Sequence, residues 1–227
     1  MRIIQCDQGS PEWGQCRQGI PTASNFDKIV TPAKGELSKQ ADAYIYELIA
    51  DRIMGVPENV EAFTSREMQY GIDTEPEARA WYQMETGLTV RKVGFCVADD
   101  GSMGCSPDGL VDPDGGIEIK CPLAKTHIGY LMQGGLPTEY KLQVHGSLVV
   151  TGRRYWSFVS YCPGIKPVNI KVEPDDFTAK LRDALEAFTA RYAALWEKMQ
   201  QIDPDLQPRV VIEAKADAEA AMDMFTA

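Results

Sequence analysis

The sequence predicts a mixed α/β, or α+β, domain in which one central sheet is covered by helices. Short β-prone segments separated by turn residues predict the strands of that sheet. Apolar residues at helical spacing in residues 41–54, and a long amphipathic segment at 175–201, predict helices that pack on it. The third observation is the order along the chain: helices, a meander of strands, then a helix, strands and a helix.

Two helices are predicted in the first quarter of the chain. Residues 22–31 open with a helix-start pattern, because Ser24 can cap the first turn and Asp27 lies three residues further on. Residues 41–54 carry apolar side chains at helical intervals, and Gly55 marks their end.

A longer helical stretch is predicted over 64–86, interrupted around Gly71 and Pro76. Proline inside a helix removes a hydrogen bond and kinks the axis. Thr74 and Glu77 form a capping-box pattern at this point. The pattern therefore predicts that a new helix starts near Pro76.

The remaining elements alternate between strand and helix. Residues 138–152 are predicted as a helix ended by Gly152, and 175–201 as a helix with acidic residues at its start. Residues 1–201 are interpreted as a single domain and 202–227 as a C-terminal tail. The predicted strands are 88–98, 102–106, 116–120, 153–162 and 168–173.

Composition restricts the class of protein. The chain has 227 residues, 44% of them hydrophobic and 25% charged, as in ordinary water-soluble domains. No apolar run reaches about 18 residues, and the N-terminus lacks the apolar stretch of a signal peptide, so we expect a cytoplasmic protein with no membrane span. The six cysteines include no Cys-x-x-Cys pair, which favours reduced thiols over structural zinc or an iron–sulfur cluster. The net charge of −10 disfavours a general DNA coat but leaves room for a focused DNA channel.

The stretch "CSPDGLVDPDGGIEIKCP" (105–122) carries the candidate chemistry. "SPDG" is a tight-turn sequence that would place Asp108 at the end of a strand. In "GIEIK", side chains alternate, so Glu118 and Lys120 point to the face opposite the two isoleucines and share a cleft with Asp108. Two carboxylates suit Mg²⁺, and a neighbouring lysine suits phosphodiester hydrolysis.

Plainer interpretations of this stretch stay open at this point. The three residues could be ordinary polar side chains on a hairpin. "DPDGG" (112–116) is interpreted as a turn. A calcium loop is excluded, since its first ligand position would be Leu110 and its closing position Cys121.

Four stretches that occur in this order strongly resemble the phage lambda exonuclease family, also called YqaJ-type viral recombinase nucleases, of the PD-(D/E)XK superfamily. They are "PEWGQCRQGIPTASNF" (11–26), "YGIDTEPEARAWYQMETG" (70–87), "GCSPDGLV…GGIEIKCP" (104–122) and "YKLQVHGSLVVTGRRYWSFVSYCP" (140–163). The resemblance implies a PD-(D/E)XK restriction-endonuclease-like core. It also implies an Mg²⁺-dependent exonuclease that digests the 5′-phosphorylated strand of double-stranded DNA in the 5′→3′ direction and leaves a 3′ single strand.

Further properties follow from the same resemblance. The family implies processive digestion and two Mg²⁺ ions per site, with Mn²⁺ as an alternative. No iron–sulfur cluster is expected, because no cysteine follows Cys162. It implies double-stranded DNA ends as the substrate, a homotrimeric ring, and a single-strand annealing recombinase as partner. It places the protein in phage or prophage recombination, in the cytoplasm of a bacterial host.

Carried over residue by residue, the family pattern assigns metal-binding carboxylates to Asp108 and Glu118. It assigns a third metal ligand to the backbone carbonyl of Ile119, and the catalytic lysine to Lys120. Glu75 matches the helix glutamate that completes the metal site. Pro76 directly after it departs from the well-known member and could displace its side chain; Glu75 could instead only favour the helix dipole.

Other positions match contacts to DNA. Gln143 matches the glutamine that contacts the active-site water or scissile phosphate. Arg17, Ser24 and Ser106 match a pocket for the 5′-terminal phosphate. Met68 occupies the position of a strand-separating wedge, although a core position is the preferred interpretation. Alternatives stay open: Ser24 could simply cap its helix, Arg17 could pair with a surface carboxylate and Gln143 could be solvated.

Four more polar residues have only general expectations. His127 is expected on a loop surface, and His145 on a helix surface or as a hydrogen-bonded, partly buried residue. Arg153 and Arg154 could face DNA or serve solubility. Two other functions stand beside the main hypothesis. An iron–sulfur nuclease of the superfamily lacks the C-terminal cysteines it would need, and an inactive DNA-end-binding or scaffold protein is disfavoured by the intact Asp-Glu-Lys set.

Overall fold

The computed structural model describes residues 1–33, 35–55 and 65–207, and within them it has seven α-helices and eight strands. The predicted mixed α/β class, with a central mixed sheet flanked by helices, is confirmed. The strands are β1 (Arg2–Ile4), β2 (Val90–Arg91), β3 (Phe95–Val97), β4 (Gly104–Cys105), β5 (Gly109–Val111), β6 (Gly115–Lys120), β7 (Tyr155–Ser160) and β8 (Val168–Val172). The helices are α1 (Pro11–Arg17), α2 (Phe26–Ile29), α3 (Ala41–Met54), α4 (Arg66–Thr86), α5 (Ala124–Gln133), α6 (Thr138–Thr151) and α7 (Asp176–Ile202), with a short 3₁₀ turn at Ala23–Asn25.

The larger sheet has five strands in the order β2-β5-β6-β7-β8. Only β6 and β7 run parallel, and their register pairs Glu118 with Phe158 and Lys120 with Ser160. Parallel neighbours need a crossover connection, and here α5 and α6 supply it. The crossover brings α6 back over the strand that carries Glu118.

Helices cover both faces of this sheet. On one face, Ala78 and Tyr82 of α4 pack against a cluster that includes Ile117 and Ile119 of β6. On the other face, α3, α6 and α7 contribute to the main core with Trp156 and Phe158 of β7. Because both faces are covered, Glu118 of β6 is only 2% exposed, while the Lys120 side chain at the end of the strand is partly exposed.

The prediction of one continuous strand over 88–98 is wrong. It divides into β2, which belongs to the five-stranded sheet, and β3, which joins β1 and β4 in a second, three-stranded sheet. Between them the chain passes so close to Cys6 that a side chain at Gly94 would overlap its backbone. The predicted strand 102–106 shortens to β4, and β5 begins at Gly109, the last residue of "SPDG".

The predicted break in the helix over 64–86 is also wrong. Helix α4 is continuous from Arg66, is capped by the Ser65 hydroxyl, and contains Pro76 in its interior. The Thr74 hydroxyl donates to the carbonyl of Tyr70, so it does not form the predicted capping box. Packing of α4 on the sheet offsets the hydrogen bond that Pro76 cannot make.

Two helices and a strand at the N-terminal end and in the crossover were not predicted. Helix α1 begins at Pro11 after the cap Ser10, a start signal that the sequence does contain. Strand β1 and helix α5 were likewise missed. The helix predicted over 22–31 is reduced to the 3₁₀ turn and α2, and Ser24 makes no cap there. The helices predicted over 41–54, 138–152 and 175–201 are confirmed within a residue or two.

The domain boundary proposed at 201/202 stays a prediction. Helix α7 runs one residue past it, to Ile202, and starts with a capping box between Asp175 and Thr178. Most of the predicted tail, residues 208–227, lies outside the described residues. Among the residues that are described, no helix has both the length and the apolar character needed to cross a membrane.

Candidate active site

Glu118 is the centre of the candidate site. Its Oε1 accepts a 2.6 Å ion-pair contact from Nζ of Lys120 and a 2.7 Å hydrogen bond from Nε2 of Gln143. Its Oε2 is buried and has no hydrogen-bond partner among the described residues. A buried carboxylate oxygen without a partner is costly unless something else binds it. Oε1 of Glu118 is therefore fully hydrogen-bonded, whereas Oε2 is open, meaning that it has no partner among the described residues.

Asp108 lies beside this carboxylate at the start of β5. Its Oδ2 accepts a 2.5 Å hydrogen bond from the backbone N–H of Ile119, and its backbone carbonyl accepts a 3.1 Å bond from Arg79. Burial, and then the nearby charge of Glu118, raise the pKa of Asp108 to about 8, although Lys120 opposes the shift. Two carboxylates this close repel each other unless a cation lies between them.

Lys120 is the cation that the chain itself supplies. Burial acts to lower the pKa of Lys120, but the negative charges of Glu118 and Asp108 outweigh it and raise the pKa above its usual value. The ammonium also lies 5.2 Å from the ring centroid of Tyr140. The two neighbouring carboxylates therefore favour the protonated form of Lys120.

The donor set suits a hard divalent cation. The described residues contain no group of three or more His, Cys, Asp or Glu side chains arranged for a metal, so the side-chain donors are the two carboxylates of Asp108 and Glu118. Mg²⁺ is commonly held by one or two carboxylates and keeps several waters. The open Oε2 of Glu118 fits this mode of binding.

Glu75 lies close to the carboxylates, but its charge is engaged by Arg79. The two side chains form an ion pair one helical turn apart on α4, and the same Nη2 of Arg79 contacts the carbonyl of Asp108. The negative charge of Glu75 also raises the pKa of Asp108. The expectation that Pro76 makes Glu75 the start of a new helix is wrong, since both lie inside α4.

Arg17, Ser24 and Ser106, which come from three separate segments, meet in one cluster. Arg17 donates a 2.9 Å hydrogen bond to Ser106 and a longer one, 3.4 Å, to Ser24. The indole of Trp13 also donates to Ser106, at 2.9 Å, and its ring stacks 4.1 Å from the Arg17 guanidinium. Two N–H donors occupy the lone pairs of the Ser106 oxygen, so its own hydrogen is left to donate to an anion.

The charge of Arg17 also favours an interpretation of this cluster as an anion site. Within the described ranges, no carboxylate oxygen lies within 4.0 Å of it, so the alternative of a surface ion pair is not seen. Burial lowers the pKa of the guanidinium from its usual value, as expected for a buried cation without a counter-ion. A cavity of about 730 Å³ adjoins the cluster, lined among others by Trp13, Asn25 and Tyr44. Arg17 lines this cavity together with the acidic residues Glu47 and Asp51, and it donates its hydrogen bonds to the two serine hydroxyls.

Three expectations about other residues were wrong. Met68 is 58% exposed on the first turn of α4 and is not a core residue. His127 is fully buried in α5, where it bonds Ser160 and the carbonyl of Lys166 at 2.7 and 3.0 Å, so it is not on a loop surface. Arg153 does not face outwards, because its guanidinium binds the carbonyls of the β5–β6 turn.

His145 and Arg154 agree with one of their stated alternatives. His145 is buried and bonds the hydroxyl of Thr178 at 2.8 Å, as a satisfied core residue. Arg154 is exposed and pairs with Asp114 at 3.4 Å. Gln143 is not a solvated helix position, since its amide lies against Glu118.

Sequence reasoning missed two residues that touch the predicted ones. Trp13 lies four residues before Arg17 on α1, a spacing that places both side chains on one helix face. Arg79 lies four residues after Glu75, which is the usual spacing of a helical ion pair. Both spacings were readable, but only the fold shows that they connect to Ser106 and Asp108.

Comparison with known proteins relates the chain to a viral recombinase family and to an alkaline exonuclease. The family model described as "YqaJ-like viral recombinase domain" matches residues 12–154. An alkaline exonuclease, LHK-Exo, from Laribacter hongkongensis is 34% identical, with a TM-score of 0.74; the match covers 87% of this chain and all of that one. The same enzyme in complex with dAMP matches with 33% identity and a TM-score of 0.73, over the same shares of both chains.

A phage-related exonuclease from Haemophilus somnus 129PT shares the fold at a TM-score of 0.59. Its identity is 15%, over 79% of this chain and 96% of that one. No curated protein sequence matched the chain.

Proposed function

The chain belongs to the YqaJ-like viral recombinase family, and from this premise we propose that it is a metal-dependent exodeoxyribonuclease. Its proposed substrate is a double-stranded DNA end with a 5′ phosphate, and its product is a 3′ single strand for annealing-type recombination. The similarity to an alkaline exonuclease over the full length of that enzyme supports the reaction class. The observation that carries the proposal is the buried Glu118, with Lys120 on one oxygen and the other oxygen open.

Asp108, Oε2 of Glu118 and the backbone carbonyl of Ile119 are the proposed ligands of Mg²⁺, with Mn²⁺ as an alternative and a second ion during catalysis. A divalent ion bound there supplies Lewis-acid activation of water and neutralises charge on the phosphate. The raised pKa of Asp108 supports this assignment, because a cation removes the repulsion between the two carboxylates.

The residues around the carboxylates position the other participants. The Lys120 ammonium, 2.6 Å from Glu118, is available to stabilise negative charge that develops on the scissile phosphate. Gln143 uses its amide N–H on Glu118, which leaves its carbonyl oxygen to accept a hydrogen bond from the attacking water. Glu75 completes the site through Arg79, which ties it to the backbone of Asp108.

The cluster of Arg17, Ser24 and Ser106 is the proposed pocket for the 5′-terminal phosphate. Arginine binds phosphate oxygens with strong, paired hydrogen bonds, and the free hydrogen of Ser106 adds another donor. Ser106 lies only two residues before Asp108. A strand anchored at its 5′ phosphate would therefore present a nearby phosphodiester to the carboxylates, which supports digestion in the 5′→3′ direction.

The remaining properties concern the assembly. We propose a homotrimeric ring that encloses the duplex, since enclosure lets an acidic chain hold DNA without a broad basic surface. Enclosure also supports processive digestion. Met68, which is exposed on α4, is proposed as the residue that separates the two DNA strands. The proposed partner is a single-strand annealing recombinase. The proposed location is the cytoplasm of a bacterial host.

The test uses a linear duplex labelled separately at its 5′ and 3′ ends, with or without a 5′ phosphate. We expect early release of the 5′ label as mononucleotide, dependence on Mg²⁺, and faster digestion of phosphorylated ends. Asp108→Asn should abolish release, whereas Asp114→Asn, in the exposed turn between β5 and β6, should retain it. Release in excess EDTA would overturn the metal assignment, and end binding without digestion would favour a DNA-end-binding protein.

A further inference from the structure

Gln8 contacts the turn that connects the proposed phosphate pocket to the proposed metal site. Its side-chain amide nitrogen lies 2.8 Å from the carbonyl oxygen of Pro107, 3.1 Å from that of Val93 and 3.3 Å from that of Gly94. The two N–H groups of one amide are thus shared among three backbone acceptors. All three belong to segments more than eighty residues further along the chain.

The Pro107 carbonyl lies between two residues with separate supports. Ser106 accepts hydrogen bonds from two side chains of helix α1, Arg17 and Trp13. Asp108 is bound from the other side, by the backbone of Ile119 and by Arg79. Gln8 adds the hydrogen bond to the peptide carbonyl between them.

Gln8 is also linked to the phosphate pocket through its own chain. It lies just before the cap Ser10 and the helix α1, which carries Trp13 and Arg17. One short segment, residues 8–17, therefore contacts both the hydroxyl of Ser106 and the next peptide carbonyl. The amide contacts to Val93 and Gly94 tie the same segment to the bend between β2 and β3.

We propose that Gln8 is a positioning residue that sets the spacing between the 5′-phosphate pocket at Arg17 and Ser106 and the cleavage centre at Asp108. This inference rests on the proposed function, because it assigns the spacing a role in cutting one nucleotide from an anchored end. Gln8 touches neither the phosphate nor the metal ligands directly, and it acts through the Pro107 carbonyl.

The physical reason is that an anchored substrate reacts fast only when the scissile phosphate lies in register with the catalytic groups. A displacement of about 1 Å can cost about 100-fold in rate. When the amide of Gln8 is lost, Ser106 keeps its contacts to α1 and Asp108 keeps its contacts to β6 and α4, but the link between them can shift. An unanchored end is less sensitive, because it does not use the pocket.

The experiment compares Gln8→Met, which has a similar length but no donor, with Gln8→Glu, which lacks the N–H groups. Gln5→Met is the matched control, since Gln5 is exposed three residues earlier in the chain and makes no side-chain hydrogen bond among the described residues. The kcat and KM are measured on duplexes with 5′-phosphate and with 5′-hydroxyl ends, and the length of the released products is determined on a sequencing gel.

Both Gln8 variants should lower kcat on phosphorylated ends about tenfold more than kcat on hydroxyl ends. They should leave KM for phosphorylated ends within about twofold and should release a larger fraction of products longer than one nucleotide. Gln5→Met should match the unmodified protein. A variant that only folds poorly would lower both rates equally and leave the ratio and the product length unchanged, so that outcome overturns the proposal.

A failure of the proposed exonuclease function gives a different result from a failure of the role of Gln8. If the unmodified protein digests neither kind of end in Mg²⁺, the proposed function fails and the inference with it. If the unmodified protein prefers phosphorylated ends and both Gln8 variants keep the same preference and mononucleotide products, only the role of Gln8 is overturned.

Discussion

The guanidinium of Arg17 donates a 2.9 Å hydrogen bond to the hydroxyl of Ser106, 89 residues further along the chain. Arg17 ends a helix and Ser106 follows a strand, so only the packed fold brings them together. Ser106 lies two residues before Asp108, a proposed metal ligand. The proposed end recognition and the proposed cleavage are thereby built into neighbouring parts of one turn.

Arg17→Ala should remove the preference for phosphorylated ends. Loss of charge-assisted hydrogen bonds to the phosphate costs about 1.5–3 kcal/mol each, or about tenfold and more in the ratio of kcat/KM for phosphate over hydroxyl ends. The ratio is measured with paired duplex substrates. Arg182→Ala, at an exposed position of α7, is the control and should keep the ratio. An unchanged ratio in Arg17→Ala would remove this residue from the pocket.

Asp108→Asn should abolish cleavage and yet stabilise the metal-free protein. The side chain keeps an oxygen that can accept from the Ile119 N–H, while one of two repelling, desolvated charges disappears. In EDTA at pH 9, above the pKa of about 8 at which Asp108 ionises, we expect the free energy of unfolding in urea to rise by about 1 kcal/mol, within the range of single stabilising substitutions. Asp114→Asn should show no such gain. A loss of stability in Asp108→Asn would contradict the proposed repulsion.

Gly116→Ala should destabilise the pairing of β6 with β7. A Cβ at this position would overlap the ring of Trp156, which is fully buried and has no room to move. Overpacking of this kind costs about 1–3 kcal/mol, measured as a lower urea midpoint. Gly129→Ala on α5 is the control, because a Cβ there meets no atom within 4 Å. Equal midpoints for the two variants would show that the strands tolerate the extra methyl group.

His145 should make stability fall in acid. Burial lowers its pKa below the ordinary value of 6.5, although Asp175 at 3.7 Å opposes the shift; Lys141 lowers it further. The unfolded chain therefore takes up the proton more readily, so this contribution is fully present above pH 6.5 and is lost as the pH falls through the lower pKa of the folded state. For one proton the slope cannot exceed about 1.4 kcal/mol per pH unit.

The measurement is urea unfolding of the unmodified protein and of His145→Gln at pH 7.5 and pH 5.5. The glutamine side chain can bond Thr178 but does not titrate in this range. We expect a smaller loss of stability between the two pH values in the variant. An equal loss would show that other groups cause the acid sensitivity.

Much of the fold was predictable because its signals are local. The amphipathic periodicity of α7 and the apolar spacing of α3 follow from residues only three or four positions apart. The failures occurred where distant contacts decide. Gly94 reads as one residue in a continuous strand, but the approach of Cys6 bends the chain there and sends β3 to a different sheet.

Pro76 is the opposite case, because a strong local signal was overridden. The proline predicts a break, but α4 gains enough by packing Ala78 and Tyr82 on the sheet to continue through it. His127 was missed for a related reason. Its environment depends on Ser160 and on the carbonyl of Lys166, which are more than thirty residues away in sequence.

The amino-acid sequence alone predicted that Asp108, Glu118 and Lys120 share one site. The side chains of β6 alternate between the two faces of the sheet, and a turn precedes β5, and both features follow from local backbone geometry. Through family resemblance the sequence also named Gln143, Arg17 and Ser24 as members. Only the tertiary structure decided which oxygen of Glu118 is paired and which is open, that Arg79 engages Glu75, and that Gln8 spans to Pro107. The physical reason is that hydrogen-bond partners and burial depend on segments that meet only after the chain has folded.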